Sequence, residues 1–263
     1  HCPLDTDCNT VRGTVPQSAF LARTRSSTRV LVGPLIPVGY SILMQDPLQD
    51  HDTFPGTIHI SSHTYLSLVT EIMVAYVRAG FKRIVLVTGH GNNLPLLQTA
   101  ARDVRFSTGA LVAATAPYLM AGKDLLSQLE QGFLKHAEEF ETSVCLAVDE
   151  NSVHTEMLAD RSVPVSSEYA APSKYFVRDA ITHPAGTGRV MVAEIYPEIS
   201  KGGVIGNPLL ASKEKGQKFL DIMISHLADF YEYYSHIEFG QGAEAYVAST
   251  RDRVGSATAE QSH

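Results

Sequence analysis

Imidazoles and carboxylates set among turn-forming residues are the groups in this chain best suited to chemistry. His90 lies in Gly89-His-Gly-Asn-Asn93, directly after the β-branched run Arg83-Ile-Val-Leu-Val-Thr88. A histidine between two glycines at a strand end presents its ring in a cleft, because the glycines let the backbone turn sharply and approach a ligand. The competing readings are a plain strand-to-helix turn or a phosphate loop, but the spacing is neither GxGxxG nor GxxxxGK[ST]. Asp5-Thr6-Asp7, near the amino end, taken alone reads as a solvated or capping pair of acids. Lys135-His136-Ala-Glu-Glu-Phe-Glu141-Thr-Ser143 places an imidazole and three carboxylates before an apolar helix that begins near Thr142. Acids there often do no more than complement the helix dipole. His136 and Glu141 are five positions apart, roughly 140° around a helix, so they converge only if their segment is a turn. His51, ahead of Phe54-Pro-Gly, is placed to line the same pocket.

Carboxylate, imidazole and carboxylate on separate loops suit a hard or borderline divalent ion such as Zn²⁺ or Mn²⁺. In a two-metal site with ions about 3.5 to 4 Å apart, a shared water loses a proton near neutral pH and attacks a polarised carbonyl. Covalent catalysis lacks its signatures. There is no GxSxG elbow, and neither Cys2, Cys8 nor Cys145 sits in an electropositive motif. The other histidines, such as His59, His63 and His226, show no partner pattern and read as satisfied or solvated.

These residues need elements to hold them. Arg29 to Val38 and Thr57 to Ile60 read as strands near loops. From Ser62 the apolar positions Leu66, Val69, Met73, Tyr76 and Val77 recur at helical spacing until Gly80. Arg83 to Thr88 and Ala110 to Thr115 read as buried strands, with a helix from Asn93 to about Val104 between them. Glu141 to Val148 reads as a helix, Arg189 to Ile195 as a later strand, and Ser212 to Tyr234 as the closing helix. Strands alternating with helices predict an α/β fold, a mostly parallel β-sheet flanked by helices on both faces. Ligands in such sheets bind beyond the carboxyl ends of the strands, which again selects Gly89 to Asn93.

The 263 residues carry 44% hydrophobic and 19% charged side chains, enough for one sizeable core over residues 1–239, followed by a small, polar, flexible tail over 240–263. Twenty-one basic against 28 acidic residues, net −7, give no cationic field for nucleic acid or anionic lipid. No apolar run is long enough for a membrane span. Three cysteines at no zinc-ribbon or CxxC spacing, with no leader ahead of them, fit a reducing cytoplasm.

The order of these motifs resembles the creatininase (creatinine amidohydrolase) family, along about Pro3 to Tyr234. The matching stretches are His1-Cys-Pro-Leu-Asp-Thr-Asp7, His51 through Phe54-Pro-Gly-Thr57, Gly80-Phe through Thr88-Gly-His-Gly-Asn-Asn93, His136-Ala through Glu141-Thr-Ser143, and Gly203-Val-Ile-Gly-Asn-Pro208 leading to Lys215-Gly216. The resemblance implies an α/β fold, a homo-oligomer that is often a hexamer, and two divalent ions, zinc and/or manganese. It also implies an amidohydrolase that opens a C–N bond of a small amide through a metal-bound hydroxide. By position, Asp7 is the bridging carboxylate, His90 a ligand of the first metal, Glu141 a ligand of the second, and His136 the proton carrier. His51, Asn92 and Glu138 are read as substrate-facing.

The family's opening pattern E-x-H-G-x-H-x-P-x-x-T-D is met from its second histidine, His1: either the sequence is truncated there, with two ions expected once the E-x-H segment is restored, or His1 is the first residue and weak or partial metal occupancy is expected. Creatininase itself has a glutamate two places after the loop histidine and a Trp-Asp pair before the later one. Here those places hold Asn92, Gly132 and Phe133, and H-A-G has become His136-Ala-Glu138. Creatinine is therefore not the expected substrate, and the sequence leaves the small amide unidentified, with a cyclic amide or a formamide among the candidates. The rival readings are a catalytically silent scaffold relative and, more weakly, a nucleotide binder using Gly89 to Asn93.

Overall fold

Strand β1 (Arg83–Val87) lies parallel to β2 (Leu111–Thr115), in register from Arg83 opposite Leu111 to Val87 opposite Thr115. The computed structural model describes residues 14–41, 58, 60–158 and 203–239. Asp7, His51, the strand expected over Arg189 to Ile195 and the tail from Gly240 lie outside these residues.

Both strands are short and rich in branched residues, and alternate side chains enter two different cores. Ile84 and Leu86, with Val112 and Ala114, pack against α2 (Ser62–Arg78) and α3 (Leu94–Thr108), through Val69 and Met73 of the first helix and Leu97, Ala100 and Val104 of the second. Val85 and Val87 face the larger core. That core is built by α1 (Thr14–Arg25), α4 (Pro117–Leu126), α5 (Glu139–Val148) and α7 (Lys213–His236), with Phe140, Val144, Phe219, Met223 and Leu227 at its centre. A four-residue helix α6 (Thr155–Leu158) follows a single 3-10 turn, Glu150–Ser152. Helices thus cover both faces of the parallel pair, as the alternation in the sequence predicts.

Several expectations change. Residues 29–38 form no strand: Pro34 and Pro37 cannot donate to a ladder, and Leu31 and Val32 are exposed. Thr57 lies outside the described residues, and Ile60 donates one bond to the Gly39 carbonyl, 3.0 Å, without entering a named strand. Helix α1 carries no clear apolar stripe and is not predicted from the sequence, and neither is α4, although its Pro117, Ala121 and Leu125 share a buried face. Helix α5 starts at Glu139 rather than near Thr142, because the Glu138 side chain caps it by accepting the Phe140 N–H at 2.8 Å. Cys145, buried on α5, is disulfide-bonded.

Among the described residues, α5 and α7 share the most extensive contact between elements. Ser212 caps α7 by accepting the Lys215 N–H at 3.2 Å, while its own N–H donates to Ser143 Oγ at 3.1 Å. One turn later a Cβ on Gly216 would stand 1.8 Å from the Ser143 carbonyl oxygen. Backbone meets backbone there, so no rotamer change relieves the clash. Gly216→Ala gains helix propensity, up to about 1 kcal/mol, yet is expected to lower stability by about 3 kcal/mol through overpacking. Urea unfolding checks this, and a variant as stable as the parent would refute the close crossing.

Candidate active site

His90 leaves the end of β1, where Thr88 extends the sheet by donating to the Thr115 carbonyl at 3.0 Å. Thr88 Oγ1 accepts the His90 N–H at 3.1 Å and donates to the His90 carbonyl at 3.3 Å, which fixes the loop against the strand. The ring is fixed from the other side. His90 Nε2 lies 3.1 Å from the Tyr40 carbonyl and 3.2 Å from Ser41 Oγ. A carbonyl only accepts, so this contact assigns the ring proton to Nε2 and leaves the lone pair on Nδ1. Asn93, buried, holds the partner segment: its Oδ1 accepts the Tyr40 N–H at 2.9 Å and its Nδ2 donates to Thr88 Oγ1 at 3.4 Å. Asn92 is half-buried on the 3-10 turn Gly91–Asn93.

His136 and Glu141 meet across a turn. His136 Nδ1 stands 3.6 Å from Glu141 Oε2, with side-chain exposures of 17% and 15%. A regular helix would separate them, and the segment is not one: His136 forms an antiparallel bridge with Ile205, and Ala137 adopts φ 50°. That left-handed conformation costs an L-residue about 1 to 2 kcal/mol. It is held by Glu141, whose Oε2 accepts the Ala137 N–H, and by Thr142, whose hydroxyl donates to the Ala137 carbonyl at 3.2 Å. Glu141 therefore shapes the turn that presents His136.

Burial dominates the electrostatics. It lowers His90 to about 4, reinforced by nearby His136 and opposed by Glu141 and the Tyr40 carbonyl. It lowers His136 to about 4 as well, with Lys135 adding repulsion. Glu141 is raised by burial, against the Ala137 N–H and His90. Both rings are thus neutral at neutral pH, beside a carboxylate that burial makes costly to charge. A neutral imidazole with a free lone pair and a buried carboxylate are donor types that fit a borderline divalent ion. Among the described residues no three His, Cys, Asp or Glu side chains group as a metal site, and Asp7, the third expected ligand, lies outside them.

Glu138 has no exposure. Its Oε2 caps α5 and accepts from Gln131 Nε2, while Oε1 is buried with no hydrogen-bond partner among the described residues. Gly206 lies so close that a Cβ there would stand 2.5 Å from the Glu138 Cβ. The residue read as substrate-facing thus serves the helix start in this geometry.

Sequence reasoning missed Tyr40, Ser41, Asn93 and Tyr118. Tyr118 follows the end of β2, and applying the strand-end rule to the second strand as well as the first would have found it. Asn93 sits inside the motif already singled out, but the backbone N–H that its side chain accepts belongs to Tyr40, in a distant segment.

Residues 1–231 match the creatininase (creatinine amidohydrolase) family. The chain is similar to the mycofactocin precursor peptide peptidase of Mycolicibacterium smegmatis, 26% identical over 236 residues, covering 87% of this chain and 77% of that protein. It is also similar to the creatinine amidohydrolase of Pseudomonas putida, 26% identical over 224 residues, covering 81% and 78%. Among solved structures, a creatinine amidohydrolase homologue from Bacteroides fragilis has a TM-score of 0.64 at 23% identity, over 86% of this chain and 80% of that one. A structure titled as the manganese form of creatininase has a TM-score of 0.61 at 22% identity, over 88% and 87%. At these identities the structural likeness shows the fold.

The lowered His136 has a consequence for stability. An unfolded histidine titrates near 6.5 and the folded one near 4, so between those values the unfolded chain binds a proton that the native chain does not. Stability present above pH 6.5 therefore falls as the pH drops toward 4, by up to about 3 kcal/mol. His136→Gln is expected to flatten that part of the profile. Urea unfolding at stepped pH in the presence of a chelator reads it, and parallel profiles for parent and variant would refute the assignment.

Proposed function

The chain belongs to the creatininase family, and from that premise we infer that it is a metal-dependent amidohydrolase cleaving the C–N bond of a small amide. The observation that carries this reading is the convergence of His136 and Glu141, 3.6 Å apart, across the left-handed turn at Ala137. In this reading His90 shares the site, since the charges of His136 and Glu141 both act on its ring.

In this reading His90, through Nδ1, and Glu141 hold divalent ions with Asp7, which enters by its place in the family pattern. A bound ion would supply a water of lowered pKa and polarise the substrate carbonyl. The rest falls to the chain. His136, neutral at neutral pH, takes a proton from the attacking water and returns it to the leaving nitrogen as the C–N bond breaks. Glu141 orients the imidazole through Nδ1. The names of the relatives span creatinine and a peptide, so the reaction type is better supported than any one substrate.

The test uses metal content and turnover together, on protein loaded with Zn²⁺ or Mn²⁺ and offered creatinine, formamide and a short peptide. Glu141→Gln is expected to lose metal and turnover at once, since each lost anionic ligand weakens the site. His136→Gln should keep its metal while kcat falls by about 10² to 10⁴. Full metal occupancy in Glu141→Gln, or lost metal in His136→Gln, would overturn the roles given to them. No metal and no hydrolysis in the parent protein would favour a silent scaffold.

A further inference from the structure

We propose that Tyr118 contacts the substrate, its hydroxyl donating a hydrogen bond to the carbonyl oxygen of the amide that is cleaved. The proposal rests on the amidohydrolase reading above and adds to it the group that receives the developing negative charge.

Position comes first. β2 is parallel to β1, so the residues leaving its carboxyl end emerge at the same edge as the His90 loop. Ala116 and Pro117 turn the chain into α4, and Tyr118 is the second residue of that helix. Its phenol reaches across to the neighbouring loop: a Cβ built on Gly91 would stand 3.3 Å from Tyr118 Oη. Gly91 is the residue after His90. On its other side the ring packs against Phe140, centroids 6.4 Å apart at 59°, and Phe140 precedes Glu141 on α5. The phenol is therefore wedged between the two segments that carry His90 and Glu141, with its body in the large core.

The hydroxyl is unspent. A tyrosine with its ring in a core ordinarily pairs its O–H, and Tyr234 does so, donating to the Ile84 carbonyl at 3.2 Å. Tyr118 Oη has no such bond to any described residue. Tyr118 is half-buried as a residue, and its hydroxyl oxygen is not among the fully buried polar atoms that lack a partner. Burial, with the charge of Glu141 added, pushes its pKa up, which keeps the proton on the oxygen. Tyr118 is thus a donor at neutral pH and not a base.

Hydrolysis needs such a donor. When the water oxygen bonds to the carbonyl carbon, the C=O electron pair moves onto the carbonyl oxygen. As the C–N bond breaks, that pair reforms the carbonyl, the nitrogen leaves with the proton carried by His136, and the products are an acid and an amine. A fixed neutral donor at the carbonyl oxygen is strongest when the charge is there, so it stabilises the transition state more than the bound substrate.

Tyr118→Phe removes one oxygen and leaves the ring packing in place. Acetohydroxamate, which presents an amide-type carbonyl oxygen, serves as the probe. Its binding to zinc-loaded protein is measured by calorimetry beside zinc affinity and thermal stability. Tyr118→Phe is expected to weaken acetohydroxamate about tenfold, the effect of one hydrogen bond, with zinc affinity and Tm unchanged. For whichever of creatinine, formamide or the short peptide is hydrolysed, kcat should fall at least about tenfold while KM moves little. A purely packing role would move Tm and spare this split. Unchanged probe binding and kcat in Tyr118→Phe, with an active zinc-binding parent, overturns the role of Tyr118 alone. A parent that binds no zinc and hydrolyses nothing overturns the amidohydrolase reading, and this proposal with it.

Discussion

A single buried carboxylate organises the half of the molecule that carries His136. Glu139 has no exposure, and its two oxygens accept the backbone N–H groups of Glu130 and Gln131 at 3.1 and 3.0 Å and the Lys215 ammonium at 2.9 Å. Lys215 also donates to the Leu210 carbonyl at 2.7 Å and pairs with Glu130. The first residue of α5, the loop after α4 and the first turn of α7 are thereby tied at one point. A buried charge stripped of its partner costs about 3 to 5 kcal/mol, so the three segments are held to one arrangement. The backbone contact at Gly216, one residue after Lys215, and the Ser143–Ser212 bond continue the same clamp along the helix pair.

The turn at His136 inherits its shape from that clamp. With α5 begun at Glu139, the three residues before it must reverse direction within a short space, and Ala137 takes the left-handed conformation to do so. Glu141 and Thr142, reaching back from the first turn of the helix, offset that strain with two hydrogen bonds. Gln131 adds a second tie. It donates to Glu138 and to the Phe133 carbonyl, and its Oε1 accepts the Asn207 N–H at 2.8 Å, which brings Gly206 against Glu138. The approach of His136 to Glu141 thus follows from how two helices and two loops close on one another, and strain at Ala137 is confined to the residue beside the imidazole.

On the sheet side the logic is simpler. Two parallel strands end together, and whatever follows them shares one edge. Thr88, Asn93 and the Tyr40 carbonyl hold His90 in one tautomer, while Tyr118 stands across from Gly91 after the neighbouring strand. Two neutral imidazoles, a buried carboxylate and a phenol that keeps its proton give the site donors and acceptors of complementary kind. Burial, more than any one ion pair, sets the protonation of each.

Local pattern alone determined much of this protein. The β-branched run at Arg83 to Val87, the helical period from Ser62 and in α7, and the Gly-His-Gly loop were legible because each depends on neighbours in sequence. The motif order, Asp7 through Lys215-Gly216, was enough to indicate the family, and it placed His90, His136 and Glu141 in one candidate site. It did not say how they meet. Five residues of spacing between His136 and Glu141 left helix and turn equally open, and the answer came from Glu141 and Thr142 folding back on Ala137. Residues 29–38 looked like a strand from their apolar density, but a ladder needs donors that Pro34 and Pro37 lack. Glu138 read as a substrate contact until its burial and its role as a helix cap were visible. Glu139 and Asn93 sat inside motifs the sequence singled out but without a role of their own, and Tyr118 sat in none, because their partners lie in distant segments: Lys215, Tyr40, and Gly91 with Phe140. Periodicity and motifs report what a residue does with its neighbours in the chain. Hydrogen bonds and close approaches between distant segments exist only once the chain has folded, and there the tertiary structure decided.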